Sequence, residues 1–309
     1  MKLLLILSQL FLITCMLFGY LQKTPNDNYV NKLAEFKQEI REYKWDDVKA
    51  IEDLVSEAIT IESSKLTPIK IGDSKFGGTP DLPSKISWPK FNDKSMQFFG
   101  QLNLAEIAEF HRNILLPQKG FLYFFAYFPE PLNQFGAEYM FIKNKDEFAV
   151  IYFNGSISEL KQTTFPSDIY EGYKFQSRKL SFETMFQLPA TSETSIVERS
   201  SLSKKDRKLI YDFSHRFDDG IFDQILGYPI PIQHGVDYDW ALSYLNINLI
   251  KDEIQRRKLE IEEIRPEFIN LLTFPLFKPI GGSQVYIGIL KKDLSNRDFS
   301  KAVFIMQDT

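Results

Sequence analysis

The chain contains three imidazoles, His111, His215 and His234, so any histidine-dependent reaction must run through one of them. His234 is followed closely by Asp237 and Asp239, behind the turn Gly227-Tyr228-Pro229 and Gln233. If that segment is extended, alternation puts both carboxylates on one side, where they would hold a hard cation or serve as acid and base beside the ring. A solvated loop carries the same residues without any chemistry. His215 shares a helical face with Asp212, ahead of Asp218-Asp219, which suits a metal or, more simply, a capped helix end. His111 beside Arg112 reads as the basic end of a helix. A second set is Lys75, Trp88 and Gln101, a basic group, an indole and an amide near Gly-rich turns. With Gln233 they would line a pocket for a small ligand or peptide; alternatively, Trp88-Pro89 only plugs a sheet edge.

The usual reaction signatures are absent: no Gly-x-Ser-x-Gly elbow, no His-Glu-x-x-His, no P-loop and no dinucleotide fingerprint. The single cysteine, Cys15, leaves no disulfide, thiol nucleophile or cysteine metal site for the body of the chain. No cofactor or metal is expected. The balance of 37 basic and 41 acidic residues gives a net charge of −4 with no basic block able to neutralise phosphates, which sets nucleic acid aside as a partner. Phe numbers 28 and Tyr 14, many in short runs bounded by Pro, Gly and Asn, the composition of strands on a half-buried pleated surface. A chain of 309 residues can bury a core large enough to stand without disulfides.

Residues 3–21 are almost continuously apolar behind Lys2, and as a helix would span about 28 Å, close to a hydrocarbon core. Three readings stay open: an uncleaved anchor, a cleaved secretory signal, and a lipoprotein whose modification box is Leu12-Ile13-Thr14-Cys15. Each makes the protein membrane-anchored or secreted, with the bulk of the chain outside the cytoplasm.

These elements divide the chain into a signal or anchor segment over 1–22, a helical segment over 23–66 and a sheet-rich domain over 67–309. Leu33, Phe36, Ile40, Val48, Ile51, Val55 and Ile59 recur at three- to four-residue steps, predicting one long or two short amphipathic helices. Beyond Pro68 strands are expected over 97–102, 121–127, 139–142, 148–152, 173–180, 240–246, 284–290 and 302–306. Helices are expected over 104–112 and 204–217, opened by Asn103 with Glu106 and Ser203 with Asp206, and over 249–264, ended by Pro266. Asn154-Gly155 predicts a tight hairpin. The polar stretch 191–203 marks a boundary between halves at about 67–190 and 204–309.

The halves share an order. Gly77-Gly78-Thr79-Pro80, Trp88, Gln101-Leu102-Asn103 and Gly120-Phe121-Leu122-Tyr123-Phe124 are followed by a weaker copy: Leu226-Gly227-Tyr228-Pro229, Trp240, Leu245-Asn246-Ile247 and Gly282-Ser283-Gln284-Val285-Tyr286-Ile287. Internal duplication accounts for this, with Gly and Pro setting the turns and alternating aromatics the sheet face. At these residues, together with Ser74-Lys75-Phe76, Leu82-Pro83, Trp88-Pro89, Leu180-Ser181-Phe182-Glu183, Ile232-Gln233 and Asp298-Phe299-Ser300-Lys301, the chain resembles the YwqG-like family, a bacterial domain of unknown function. The resemblance runs from about Ser74 to the C-terminus. It implies an α+β fold with extensive sheet, no established activity and no catalytic residue to carry over. Two departures stand out: 240–246 lacks the Gln of the family's Gln-Ile-Asp strand end, and 278–283 lacks the Trp and acid of its Gly-rich turn.

The expected fold class is therefore α+β, sheet-rich, with two related halves packed as one domain behind a hydrophobic helix and an amphipathic segment. A tethered aromatic scaffold without a recognisable reaction centre points to a module that binds a protein or ligand without catalysis, in an envelope accessory or immunity-type role. The competing reading is a hydrolase or carbohydrate-acting enzyme using His234, Asp237 and Asp239.

Overall fold

The computed structural model describes residues 25–65, 67–128, 145–191, 194–215, 223–247, 251–275 and 283–307. The apolar segment 3–21, Cys15, the strand expected at 139–142, Asp218-Asp219 and most of the turn at 278–283 lie outside the described residues. Among the described residues no helix is long and apolar enough to cross a membrane.

The run Phe121-Leu122-Tyr123-Phe124-Phe125-Ala126 shows how this sequence makes its sheet. Alternate side chains point to opposite faces. Leu122, Phe124 and Ala126 join one core, while Phe121, Tyr123 and Phe125 join another on the opposite face. Both faces are covered, so the run is apolar throughout rather than alternating apolar with polar.

The strands, in chain order, are β1 Ser56–Ser64, β2 Lys75–Phe76, β3 Asp81–Pro83, β4 Lys90–Phe91, β5 Lys94–Ser95, β6 Gln97–Asn103, β7 Phe121–Ala126, β8 Phe148–Phe153, β9 Leu160–Gln162, β10 Arg178–Gln187, β11 Gln224–Leu226, β12 Phe268–Pro275, β13 Gln284–Leu290 and β14 Val303–Gln307. One antiparallel sheet takes the order β14-β13-β12-β11-β1-β10-β2-β6-β7-β8, and β3 with β9 and β4 with β5 form two small ones. The large sheet rolls until its edges meet: the Phe148 ring of β8 lies 5.8 Å from Phe304 of β14. Inside it, Phe99 packs 5.7 Å from Phe274 and 6.0 Å from Phe304, so the nearly closed sheet encloses one aromatic core.

Helices pack outside. They are α1 Pro25–Arg41, α2 Val48–Glu52, α3 Leu104–Ile107, α4 Ser195–Glu198, α5 Lys204–Ser214, α6 Val236–Tyr244, α7 Lys251–Arg256, α8 Lys258–Ile264 and α9 Lys291–Ser295. α1 lies on β10, with Tyr29 edge-on to Phe186 at 5.1 Å, and Phe36 meets Phe213 of α5 at 5.7 Å. Ser203 caps α5 by accepting from the Asp206 amide at 3.1 Å, as its position before Asp206 predicts.

The expected strands at 97–102, 121–127, 148–152, 284–290 and 302–306 are present, each within a residue or two. Other expectations need correction. The apolar stripe of the N-terminal segment is not helical to its end: Val55 and Ile59 lead into and lie in β1, where the β-branched run Ile59-Thr60-Ile61 prefers the pleated sheet. Residues 240–246 belong mainly to α6, not a strand, because Trp240 must lie flat on Gly288, where a Cβ would come within 2.4 Å of the indole. The strand expected at 173–180 starts later, as β10, after a 3-10 turn over Glu171–Tyr173. The helix at 104–112 stops after one turn, and 249–264 breaks into α7 and α8. Asn154-Gly155 makes no two-residue hairpin; a capping box from Ser156 to Glu159 redirects the chain, and β9 pairs with β3.

β1 is the strand that joins the sheet. All nine of its residues pair with β10 on one side, and Ala58 to Thr60 pair with β11 on the other. A chain begun at Ser74 would lose β1, the strand that links β10 to β11, and the α1 cover of β10. Such a truncation is expected to show no cooperative thermal transition by circular dichroism, where the full chain shows one; a sharp transition within a few degrees of the parent would mean that β1 is dispensable.

Candidate functional site

The register sets Lys75 of β2 beside Gln101 of β6, which in turn faces Tyr123 of β7. Above them Asp81 returns over the sheet. Lys75 Nζ lies 3.0 Å from Asp81 Oδ1, with the side chains 2% and 1% exposed. Gln101 donates to Asp81 Oδ2 at 2.8 Å and to the Asp73 carbonyl at 2.9 Å, and its own oxygen accepts from the Asp81 amide at 2.8 Å. The Gly72 amide also donates to Asp81 Oδ2, at 2.9 Å, and the Tyr123 hydroxyl to the Asp81 carbonyl, at 2.7 Å. The structure thus brings Lys75 and Gln101 together, in an enclosed network around Asp81. Trp88 stands apart, half-buried, its indole N–H donating to the Met96 carbonyl at 2.8 Å and its ring against Phe98 and Phe125. Gln233 belongs to another cluster, where its amide donates to Gln307 of β14 at 3.1 Å.

His234 also sits in that second cluster. Its Nε2 is 2.7 Å from Asp239 Oδ1, the imidazole 45% exposed and the carboxylate 5%. Gln307 fixes the arrangement by donating to Asp239 Oδ2 at 3.0 Å and to the His234 carbonyl at 2.9 Å, while its oxygen accepts the amides of Ile232 and Gln233. A half-exposed ring on a buried, oriented carboxylate is the geometry of a positioned base. Asp237 does not share it. Because Val236–Tyr244 is a helix rather than an extended segment, residues two apart point about 200° away from each other. Asp237 instead accepts from the Ser195 amide at 2.7 Å and pairs with Arg265 at 3.3 Å. Arg265 further holds Glu198 at 2.8 Å and Glu262 at 3.2 Å.

The remaining histidines are placed by packing. The His215 ring stacks on Tyr211 at the end of α5, its Nδ1 2.9 Å from the Tyr211 carbonyl. His111 is buried just beyond α3 rather than closing a long helix, and desolvation pulls its pKa below the ordinary imidazole value. Among the described residues no group of three or more His, Cys, Asp or Glu could hold a metal.

An open pocket of about 570 Å³ lies elsewhere, where β11 stops short. Leu226 (φ +61°) and Gly227 (φ +65°) turn the chain off the sheet, and the side chain of Gln187 clasps both the amide and the carbonyl of Tyr228. Asn270 of β12 donates to the Leu226 carbonyl at 2.9 Å, closing the strand end with a side chain. Tyr228, Val236, Trp240 and Phe268 supply apolar walls, and Glu57, Arg112, Asp237, Arg265 and Lys291 supply charge. Ile114, 94% exposed, and Ile196 stand at the opening. A concave, mostly apolar site with a few placed polar groups suits a small or peptide ligand. Of the residues that line this pocket the sequence points to Asp237 as a candidate for chemistry, and to Leu226 to Pro229 and Trp240 only as parts of a repeat. Ile114 follows a polar run and Arg265-Pro266 reads as a helix terminus; neither residue signals which way it faces.

A family model for a domain of unknown function, DUF1963, matches residues 74–307, and the chain belongs to that family. A search of curated proteins finds no match.

Two stability measurements follow from the buried charges. Asp81→Asn leaves Lys75 buried beside a neutral partner and is expected to cost roughly 3–5 kcal/mol in urea unfolding, most of it recovered in Lys75→Met/Asp81→Asn, which removes the orphaned ammonium and keeps a side-chain oxygen to accept from Gln101 and Gly72. Equal losses in the single and double variants would contradict a desolvated pair. Asp223, just ahead of β11, has its carboxyl pushed up to about 7, by burial first and against the pull of Arg178. An unfolded carboxylate titrates near 3.9, so between about 4 and 7 the folded protein binds the extra proton and stability falls as pH rises. Asp223→Asn is expected to melt above the parent at pH 8, with the difference gone below pH 4; a gap constant across pH would refute this assignment.

Proposed function

We propose that this DUF1963 member is a non-catalytic binding module for a protein partner, held at or beyond the membrane by residues 3–21 and working through the pocket at the end of β11. The observation that carries this reading is the opening of that pocket. Ile114, 94% exposed, and Ile196, 38% exposed, extend the apolar wall of the cleft onto the surface, and contiguous apolar surface around a concavity marks a binding site. The charged groups of the pocket are tied in ion pairs and backbone bonds that orient a ligand, as Asp237 is by Ser195 and Arg265. An envelope accessory or immunity-type role fits a tethered binder of this kind.

The YwqG-like identity and the origin of the two halves by duplication belong to the same reading. Supporting it, each half uses a buried glutamine to clasp a carboxylate and main-chain N–H groups near a Gly/Pro turn, Gln101 with Asp81 and Gln307 with Asp239. In each, a strand tyrosine, Tyr123 or Tyr286, closes on a carbonyl of that turn region. The glutamines sit on opposite sides of their tyrosine strands, so the likeness is of device rather than strand position.

The enzyme reading keeps one observation in its favour, the His234–Asp239 contact held by Gln307. It lies outside the residues that line the pocket. Affinity capture with the full chain from detergent-solubilised membranes separates the two readings. A partner should be recovered by the parent and by His234→Ala, and lost with Ile114→Asp/Ile196→Asp at unchanged melting temperature. Recovery that survives the isoleucine changes, or hydrolytic turnover abolished by His234→Ala, would overturn the binding reading.

A further inference from the structure

We propose that His111 is an acid-sensitive latch on the mouth of the pocket: protonation of its ring releases the loop that carries Ile114, and the pocket loses one wall. Its bearing on function rests on the reading of the pocket as a binding site. From Ala108 to Leu115, where the chain leaves α3, His111 is the one buried residue, 2% exposed, while Glu109, Arg112 and Ile114 are exposed. That loop supplies Arg112, Asn113, Ile114 and Leu115 to the lining of the pocket. Apart from the ring, it is tied to β10 by the Thr184 hydroxyl, which donates to the Phe110 carbonyl at 2.8 Å. It is tied to β1 by the Arg112 amide, which donates to Glu57 Oε2 at 2.8 Å, and to α1 by the Arg112 guanidinium, 4.7 Å over the Tyr29 ring.

The ring is held by packing alone, since neither Nδ1 nor Nε2 makes a hydrogen bond. A neutral imidazole carries one donor and one acceptor, so both are unmet, and an apolar side chain would fill the place without that cost. An imidazolium brings two donors and a charge, and is held far worse there. Among the groups that act on the ring, Glu57 of β1 and the backbone of Asn113 favour the charged form, while burial and the neighbouring Arg112 oppose it, and burial prevails. Glu57 is already engaged, because its Oε2 takes the Tyr29 hydroxyl at 2.7 Å as well as the Arg112 amide. The other elements against the loop bring no further charge to the ring: β10 offers Thr184 and Phe182, and α1 offers Tyr29, whose phenol burial keeps protonated. The buried ring therefore holds a proton less tightly than an imidazole in water, which titrates near 6.5. The closed loop is favoured above that pH, and its advantage is lost as pH falls from there towards the lower, folded value. Opening one surface loop costs less than opening the sheet, so the loop is what yields.

Amide exchange of the full chain in detergent, corrected for the intrinsic rate at each pH, tests the latch. The Arg112 amide, which Glu57 holds, should lose about tenfold protection between about pH 7.5 and about pH 5, while the amides of β6 and β7 keep theirs. In His111→Phe the Arg112 amide should show no such change, and His111→Leu serves in its place if the larger ring does not fold. Protection of Arg112 that ignores pH in the parent, an equal loss in the apolar variant, or a loss shared by β6 and β7 would each overturn the latch. Partner capture by the parent should fall about tenfold over the same range, and capture by the apolar variant should not. Capture that depends on Ile114 and Ile196 yet is equal at both pH values would overturn the latch and leave the binding reading standing. Acid-dependent opening at Arg112, with capture at about pH 7.5 that ignores the isoleucines, would support the latch as a motion of the loop and overturn the binding reading.

Discussion

An ammonium and a carboxylate 3.0 Å apart, both shut away from water, set the constraint around which β2, β6 and β7 are organised. Neither charge is tolerable in that place alone, and the pair is tolerable only when the carboxylate's remaining lone pairs are filled. Gln101 and the amide of Gly72 do that, and they come from separate stretches of chain. β2, β6, β7 and the turn before β3 must therefore assemble together. Gly77 and Gly78, both at φ +69°, allow the backbone to double back so that Asp81 lands over Lys75, and a Cβ at Gly78 would meet the Ser177 hydroxyl at 1.8 Å. Lys75 and Gln101, which as a sequence look like ligand-binding groups, are committed to holding this closure.

The second constraint is continuity of the sheet. β1 is the only described strand that pairs with both β10 and β11, although it precedes the residues the DUF1963 model matches. Its neighbour β11 then ends after three residues, and the wedge left between β1 and β12 becomes an open pocket. Trp240, laid over Gly288, walls that wedge from the outer side, so the same helix that presents Asp239 to His234 also shapes the pocket. Structure and opening have one cause: a strand too short to finish the ladder it starts.

Much of the sheet is legible in the amino-acid sequence, because Phe121 to Ala126 and Gln284 to Leu290 are long apolar runs between turn residues, and such runs have few other fates. The Ser203 cap is legible for the same local reason. What escapes is decided at a distance. Ile59 continues a helical spacing yet is pulled into β1 by pairing with Thr184 and Ile225. Trp240 to Tyr244 reads as a strand, and only the bare backbone at Gly288, more than forty residues on, makes a helix there the better fit. The pocket depends on where β11 stops and on which way Ile114 faces, neither of which has a local signature. As a sequence, Asp237 and Asp239 look equally placed to serve His234, and only the helix over Val236–Tyr244 leaves Asp239 beside the ring and turns Asp237 to Ser195 and Arg265.

The central claim is that, among the described residues, no strand continues β11 beyond Leu226, and amide hydrogen exchange tests it most directly. In the free protein the Ile61 amide, bonded to Asp223, should exchange only through large-scale opening, whereas the Glu57 amide, four residues earlier on the same side of β1, should exchange on the order of a hundredfold faster. Equal protection at Glu57 and Ile61 would mean that the ladder continues past Leu226 and that no slot exists.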